Sequence, residues 1–62
     1  MNTRQVINLI EDAGWRYDYS TGGHMHFKHP AKSGKVTVPF HGANKEVPPW
    51  MVKSIKRQAG LQ

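Results

Sequence analysis

Gly22-Gly23-His24-Met25-His26-Phe27-Lys28 sets two imidazoles and an ammonium at every second position behind a glycine pair. In an extended strand successive side chains alternate, so His24, His26 and Lys28 share one face while Met25 and Phe27 take the other. Imidazole exchanges a proton near neutral pH, and lysine holds an anion. Such a row, backed by an apolar side, suits chemistry on a phosphate backbone: proton transfer at its oxygens and neutralisation of its charge.

The surrounding elements must hold that row in place. Val6, Leu9, Ile10 and Ala13 recur at helical spacing, with Asn2 or Thr3 as cap and Gln5 in position for a capping box. Gly14 ends this helix in the left-handed conformation, and Trp15 folds back onto Ile10. Trp15-Arg16-Tyr17-Asp18-Tyr19 alternates strictly, which predicts a strand with three aromatics on one face. Ser20 to Gly23 form a hairpin turn, His24 to His29 a second strand, and Ala31-Lys32-Ser33-Gly34 a second turn. A third strand runs from Lys35 to Phe40, with Val36 and Val38 inward, Lys35 and Thr37 outward, and Pro39 at an edge or end. After a polar connector from His41 to Val47, Pro48-Pro49 open a helix striped by Val52, Ile55 and Ala59, and Gly60 closes it. The order is α-β-β-β-α: an α+β fold, a three-stranded antiparallel sheet with both helices on one face and the other face open. A slip of one residue in the middle strand would bury two histidines and a lysine, so the register is sharply specified.

Sixty-two residues make a single domain, residues 1–62, with a small core. The chain has no cysteine, which excludes disulfides and thiolate-bound zinc. It has no membrane-spanning run and no signal-peptide pattern, so a cytoplasmic location is expected. Nine Lys and Arg stand against four Asp and Glu, a formal charge of +5. The basic residues gather in the middle and near the C-terminus, which predicts a surface that attracts polyanions in a salt-sensitive way.

These segments, in this order, resemble the HicA-type (YcfA-like) toxins. The carriers are Leu9-Ile10-Glu11-Asp12-Ala13-Gly14-Trp15, Gly22-Gly23-His24-Met25-His26-Phe27-Lys28-His29-Pro30, Val36-Thr37-Val38-Pro39 and Ile55-Lys56-Arg57-Gln58-Ala59-Gly60-Leu61. The resemblance implies a double-stranded-RNA-binding-domain-like fold and a ribosome-independent mRNA interferase of a toxin–antitoxin system, working without a cofactor. It also implies a HicB-type antitoxin as inhibitory partner, and it maps the family's essential histidine onto His24. Gly23 stands where the family usually has Ser, and Met25 where a second His is common.

RNA carries its own nucleophile, the 2′-hydroxyl. The expected roles are therefore His24 as general base or acid and Lys28 or Lys35 on the phosphate. His26 is expected in the second proton role or in orienting the nucleotide, and Gly22 and Gly23 form the RNA-contacting turn. Asp18 alternates onto the open side and is a weak candidate for orienting an imidazole. His29 and His41 read as surface residues. A metal site is not expected, because His29 alternates away from His24 and His26 and no carboxylate completes a set. Trp15, Tyr17 and Tyr19 read as core, and Trp50 as partly exposed. The competing readings are a non-catalytic RNA-binding module using the same basic face, and a subunit whose basic face docks an acidic partner.

Overall fold

The computed structural model describes residues 1–61 and follows the order α-β-β-β-α. Helix α1 spans Thr3–Asp12, and Asn2 is its cap. Asn2 Oδ1 accepts from the Gln5 amide at 2.9 Å, and Gln5 Oε1 accepts from the Asn2 amide at 2.8 Å, closing the capping box. Thr3 is buried instead, its hydroxyl donating to the Lys45 carbonyl at 3.1 Å. The Thr3 and Arg4 amides donate to the carbonyls of Lys45 and Ala43 at 2.9 and 3.0 Å. These bonds satisfy donors that a helix start leaves unpaired. They also fasten the connector after the sheet onto the head of α1.

Helix α2 spans Pro49–Gln58, with proline in its first turn. Both helices end in the same Schellman geometry. Gly14 donates to Glu11 and Trp15 to Ile10; Gly60 donates to Arg57 and Leu61 to Lys56. The two ends meet where Trp15 Nε1 donates to the Ala59 carbonyl at 3.2 Å, a buried bond.

Strands β1 (Arg16–Thr21), β2 (His24–His29) and β3 (Lys32–Pro39) form one antiparallel sheet in that order. Two expectations need correction. The third strand begins at Lys32 and the turn shrinks to Pro30-Ala31, because His29 pairs directly with Lys32. Ser33 to Lys35 stand against the single residue Lys28 as a bulge between the His29–Lys32 and Phe27–Val36 pairs, and Gly34 there adopts φ +80°. The aromatics of the first strand do not share a face either. Tyr17 lies opposite Phe27 but Tyr19 lies opposite His26, so a bulge at Asp18 turns Tyr19 onto the open face. Only Trp15 of the three is buried; Tyr17 and Tyr19 are exposed.

The core lies between the sheet and the helices: Val6 and Ile10 of α1, Trp15, Phe27, Val36 and Val38 of the sheet side, and Ile55 of α2 with Ala59 at its C-terminal cap. Met25 leans on it with Phe27, as the alternation requires, which leaves the alternate positions of β2 to the open face. Along the outer edge of β3, the Thr37 amide donates to Gln58 Oε1 at 3.1 Å, so α2 occupies part of an edge that would otherwise offer free donors.

Candidate nucleic-acid interface and proton-transfer site

Of the four histidines, two are fully wired into the protein and two are not. His26 stands at the centre of the open face. Thr21 Oγ1 lies 2.9 Å from its Nε2 and Thr37 Oγ1 3.1 Å from its Nδ1, so a hydroxyl from each neighbouring strand covers each ring nitrogen. Tyr19 stacks on the ring at a centroid distance of 4.5 Å, and Lys35 Nζ donates to the Tyr19 hydroxyl at 3.0 Å. A continuous Lys35–Tyr19–His26 row therefore crosses all three strands. Its ring nitrogens already have partners, so its surface offers an aromatic face and a cation instead of a free proton carrier.

His29, expected at the surface, is half-buried on the helix side. Its Nδ1 accepts from the Ala31 amide at 3.0 Å, which leaves Nε2 as the protonated nitrogen, and Nε2 donates to the Ala13 carbonyl at 3.1 Å. The ring also meets Trp15 edge-on at 5.3 Å. It thus ties the β2–β3 turn to the end of α1. The approach is so close that a Cβ on Gly14 would fall 2.6 Å from His29 Nε2, at a φ of +100° that already favours glycine.

His24 and His41 are exposed and make no hydrogen bond among the described residues. His24 opens β2 directly after the Gly22–Gly23 turn and lies opposite Thr21 on one side and Pro39 on the other. Both glycines have positive φ, +51° and +81°, the geometry of a tight hairpin. The imidazole of His41 rests over the same turn, its Cε1 3.5 Å from where a Gly23 Cβ would be.

Lys28 is exposed at the far end of β2, with Asp18 Oδ1 3.7 Å from its Nζ. Asp18 is on the open side as expected, but its partner is Lys28 and not an imidazole. The expected site residues Gly22, Gly23, His24, His26 and Lys35 therefore fall along the open face and its adjoining turn, with Lys28 at the margin. A concavity elsewhere, lined by Met1, Pro49, Val52, Lys53 and Arg57, includes none of them. Three contributors escaped the sequence reading. Tyr19 was hidden by the bulge at Asp18. Thr21 follows from the hairpin register that places it beside the histidine strand. His41 is two residues past Pro39, the partner of His24, and that pairing is the signal that brings it to the turn.

A small α+β domain with one helix-covered and one basic, histidine-bearing sheet face is the class that fold and site define. The family model described as the HicA toxin of bacterial toxin-antitoxin systems matches residues 3–61. The chain belongs to the HicA toxin family. Among solved structures, it superposes on a chain of the HicA3 and HicB3 toxin-antitoxin complex with a TM-score of 0.77 at 23% identity, covering 100% of this chain and 97% of that one. At that identity the likeness carries the fold. A comparison with curated proteins finds no match.

Proposed function

We propose that this HicA-family chain is a ribosome-independent endoribonuclease that cuts single-stranded mRNA, with His24 as the general acid or base. The observation that carries the reading is the His24 imidazole: exposed, free of hydrogen bonds among the described residues and set at the lip of a glycine turn on a basic face. RNA supplies the 2′-hydroxyl nucleophile, so the reaction requires no cofactor. What a protein must add is proton transfer and charge neutralisation at the phosphate, and one positioned imidazole contributes ~10²–10⁴-fold. The Lys35–Tyr19–His26 row gives a strand of RNA a stacking surface and a cation beside the turn. The glycines let the phosphate backbone approach the peptide closely.

A HicB-type antitoxin neutralises the toxin, as membership of a toxin–antitoxin family and the HicA3 and HicB3 complex support; seated on this open face, it would cover His24. The formal charge of +5 favours a partner with an acidic contact surface.

The test compares induced expression of wild type and His24→Ala in a bacterial host, with growth and full-length mRNA followed together. Arrest with mRNA loss in the wild type alone is the expected result. In parallel, purified protein should cut RNA and spare the same sequence with 2′-deoxy substitution at the scissile nucleotide. Binding of RNA without cutting would replace this reading with that of a non-catalytic RNA-binding module, and cutting of the deoxy substrate would remove the 2′-hydroxyl mechanism.

A further inference from the structure

We infer that His41 is the second proton carrier of the cleavage site, working opposite His24 across the scissile phosphate. The inference rests on the ribonuclease reading above and names a residue that reading leaves open. Displacement at phosphorus runs in line, with attacking and leaving oxygens on opposite sides. A single imidazole cannot touch both, so cleavage without a second carrier leaves one of the two proton transfers to water.

The four histidines sort themselves for this task. His29 has both nitrogens bonded, on the helix side. His26 has both nitrogens covered by Thr21 and Thr37. His24 and His41 alone have exposed rings with no hydrogen bond among the described residues, and both adjoin the Gly22–Gly23 turn. The His41 ring lies 3.5 Å from the Gly23 Cβ position. That places it within roughly 9 Å of the His24 Cα, given standard backbone dimensions. Both imidazoles thus border the same glycine turn.

His41 is also held there. The Phe40 amide donates to the Gly23 carbonyl at 2.8 Å on one side of it, and the Lys45 amide to the Gly42 carbonyl at 3.2 Å on the other. The connector that carries it is fastened in turn to the head of α1 through Lys45 and Ala43. Glycine suits position 23 because its φ of +81° would strain any larger residue, while a Cβ there would meet the His41 ring only in ordinary contact at 3.5 Å.

In the resulting step one imidazole takes the 2′-hydroxyl proton as that oxygen bonds to phosphorus. The other enters as imidazolium and gives its proton to the 5′-oxygen as the phosphorus–O5′ bond breaks. The products are a 2′,3′-cyclic phosphate and a 5′-hydroxyl. No water is consumed, and proton exchange with solvent resets the two rings.

The test measures cleavage of a labelled single-stranded RNA by purified wild type, His24→Ala, His41→Ala and His41→Asn across pH. Affinity is measured alongside on the 2′-deoxy oligonucleotide, which binds without being cut. The expected result is a bell-shaped profile for the wild type. Both His41 variants should lose ~10²-fold or more in kcat together with one limb of the bell, at unchanged affinity. Cleavage by His41→Ala at the wild-type rate, beside an inactive His24→Ala, overturns the inference and leaves the ribonuclease reading intact. A fall in rate with both limbs preserved, or one matched by lost affinity, also overturns it by making His41 a structural or binding residue. An active His24→Ala instead removes the His24 assignment, and a wild type that cuts no RNA removes the reading on which both rest.

Discussion

The two ends of β2 carry the same side chain under opposite conditions. At the far end His29 has both nitrogens engaged, one by the Ala31 amide and one by the Ala13 carbonyl, with Trp15 against its edge. At the near end His24 has an exposed ring with no hydrogen-bond partner among the described residues. The first arrangement uses imidazole as a rigid two-ended linker, and any change in its protonation would break a bond that holds the fold. The second leaves the nitrogens free to exchange protons with whatever binds. Strand alternation separates the two before any tertiary contact forms, because positions 24 and 29 of β2 point to opposite faces.

The largest effect expected from this contrast lies at His24. His24→Ala should lower the rate of RNA cleavage by ~10²–10⁴-fold while leaving thermal unfolding within about 0.5 kcal/mol of wild type. Single-turnover cleavage and a calorimetric scan read the two quantities separately. A His24→Ala protein that is active, or that is substantially destabilised, breaks the comparison at its catalytic end.

His29→Ala should do the reverse. It removes two hydrogen bonds and an edge-on aromatic contact, which together amount to about 2–3 kcal/mol. In a domain of this length that is roughly 15–20 °C in Tm. Cleavage per folded molecule, measured well below the transition, should stay unchanged. Loss of activity with an intact fold would show that His29 also serves the site.

Gly14→Ala tests the same anchor from the other side and should cost about 1–3 kcal/mol. Part of that is backbone strain at φ +100°, and part is the approach of the new methyl to 2.6 Å from His29 Nε2. Combining it with His29→Ala separates the two, because the clash vanishes once the ring is gone and only the backbone term remains. A double variant whose losses simply add would show that ring and methyl never competed for the space.

The sequence patterns that proved most legible were those with one physical cause. The Ala-Gly-apolar ends of both helices and the alternation of His24 to Phe27 each follow from a local rule and are present, while the α1 stripe holds at Val6, Ile10 and Ala13 but takes Ile7 in place of Leu9 against the core. The bulges were not legible. Asp18 and the Ser33–Lys35 segment carry no residue that forces an irregularity except Gly34, and the register is decided by pairing with β2. That pairing moves Tyr19 from the expected core face to the His26 stack, and so it builds the open-face row that alternation alone had divided. His29 was misplaced for a related reason. Its partners Ala13 and Ala31 lie on either side of it along the chain and contribute backbone groups, which no reading of side-chain types can see.

The smallest predicted effect concerns the charge at the margin of the interface. Lys28 and Asp18 are both substantially exposed and 3.7 Å apart, so their pairing contributes little to the fold and Asp18→Asn should shift stability by no more than about 0.5 kcal/mol. Its consequence for RNA should be larger than its consequence for folding. With the carboxylate gone, the Lys28 ammonium is no longer offset, and the face proposed to meet the phosphates gains a unit of positive charge. Affinity for the 2′-deoxy oligonucleotide should rise, and its decline with salt should steepen by up to about 0.7 in the log–log slope, the contribution of one more phosphate contact on a single strand. A titration of affinity against salt for the two proteins measures this directly. Parallel salt dependences would place Lys28 outside the interface and confine the RNA-binding face to the end of the sheet that carries His24, His26 and Lys35.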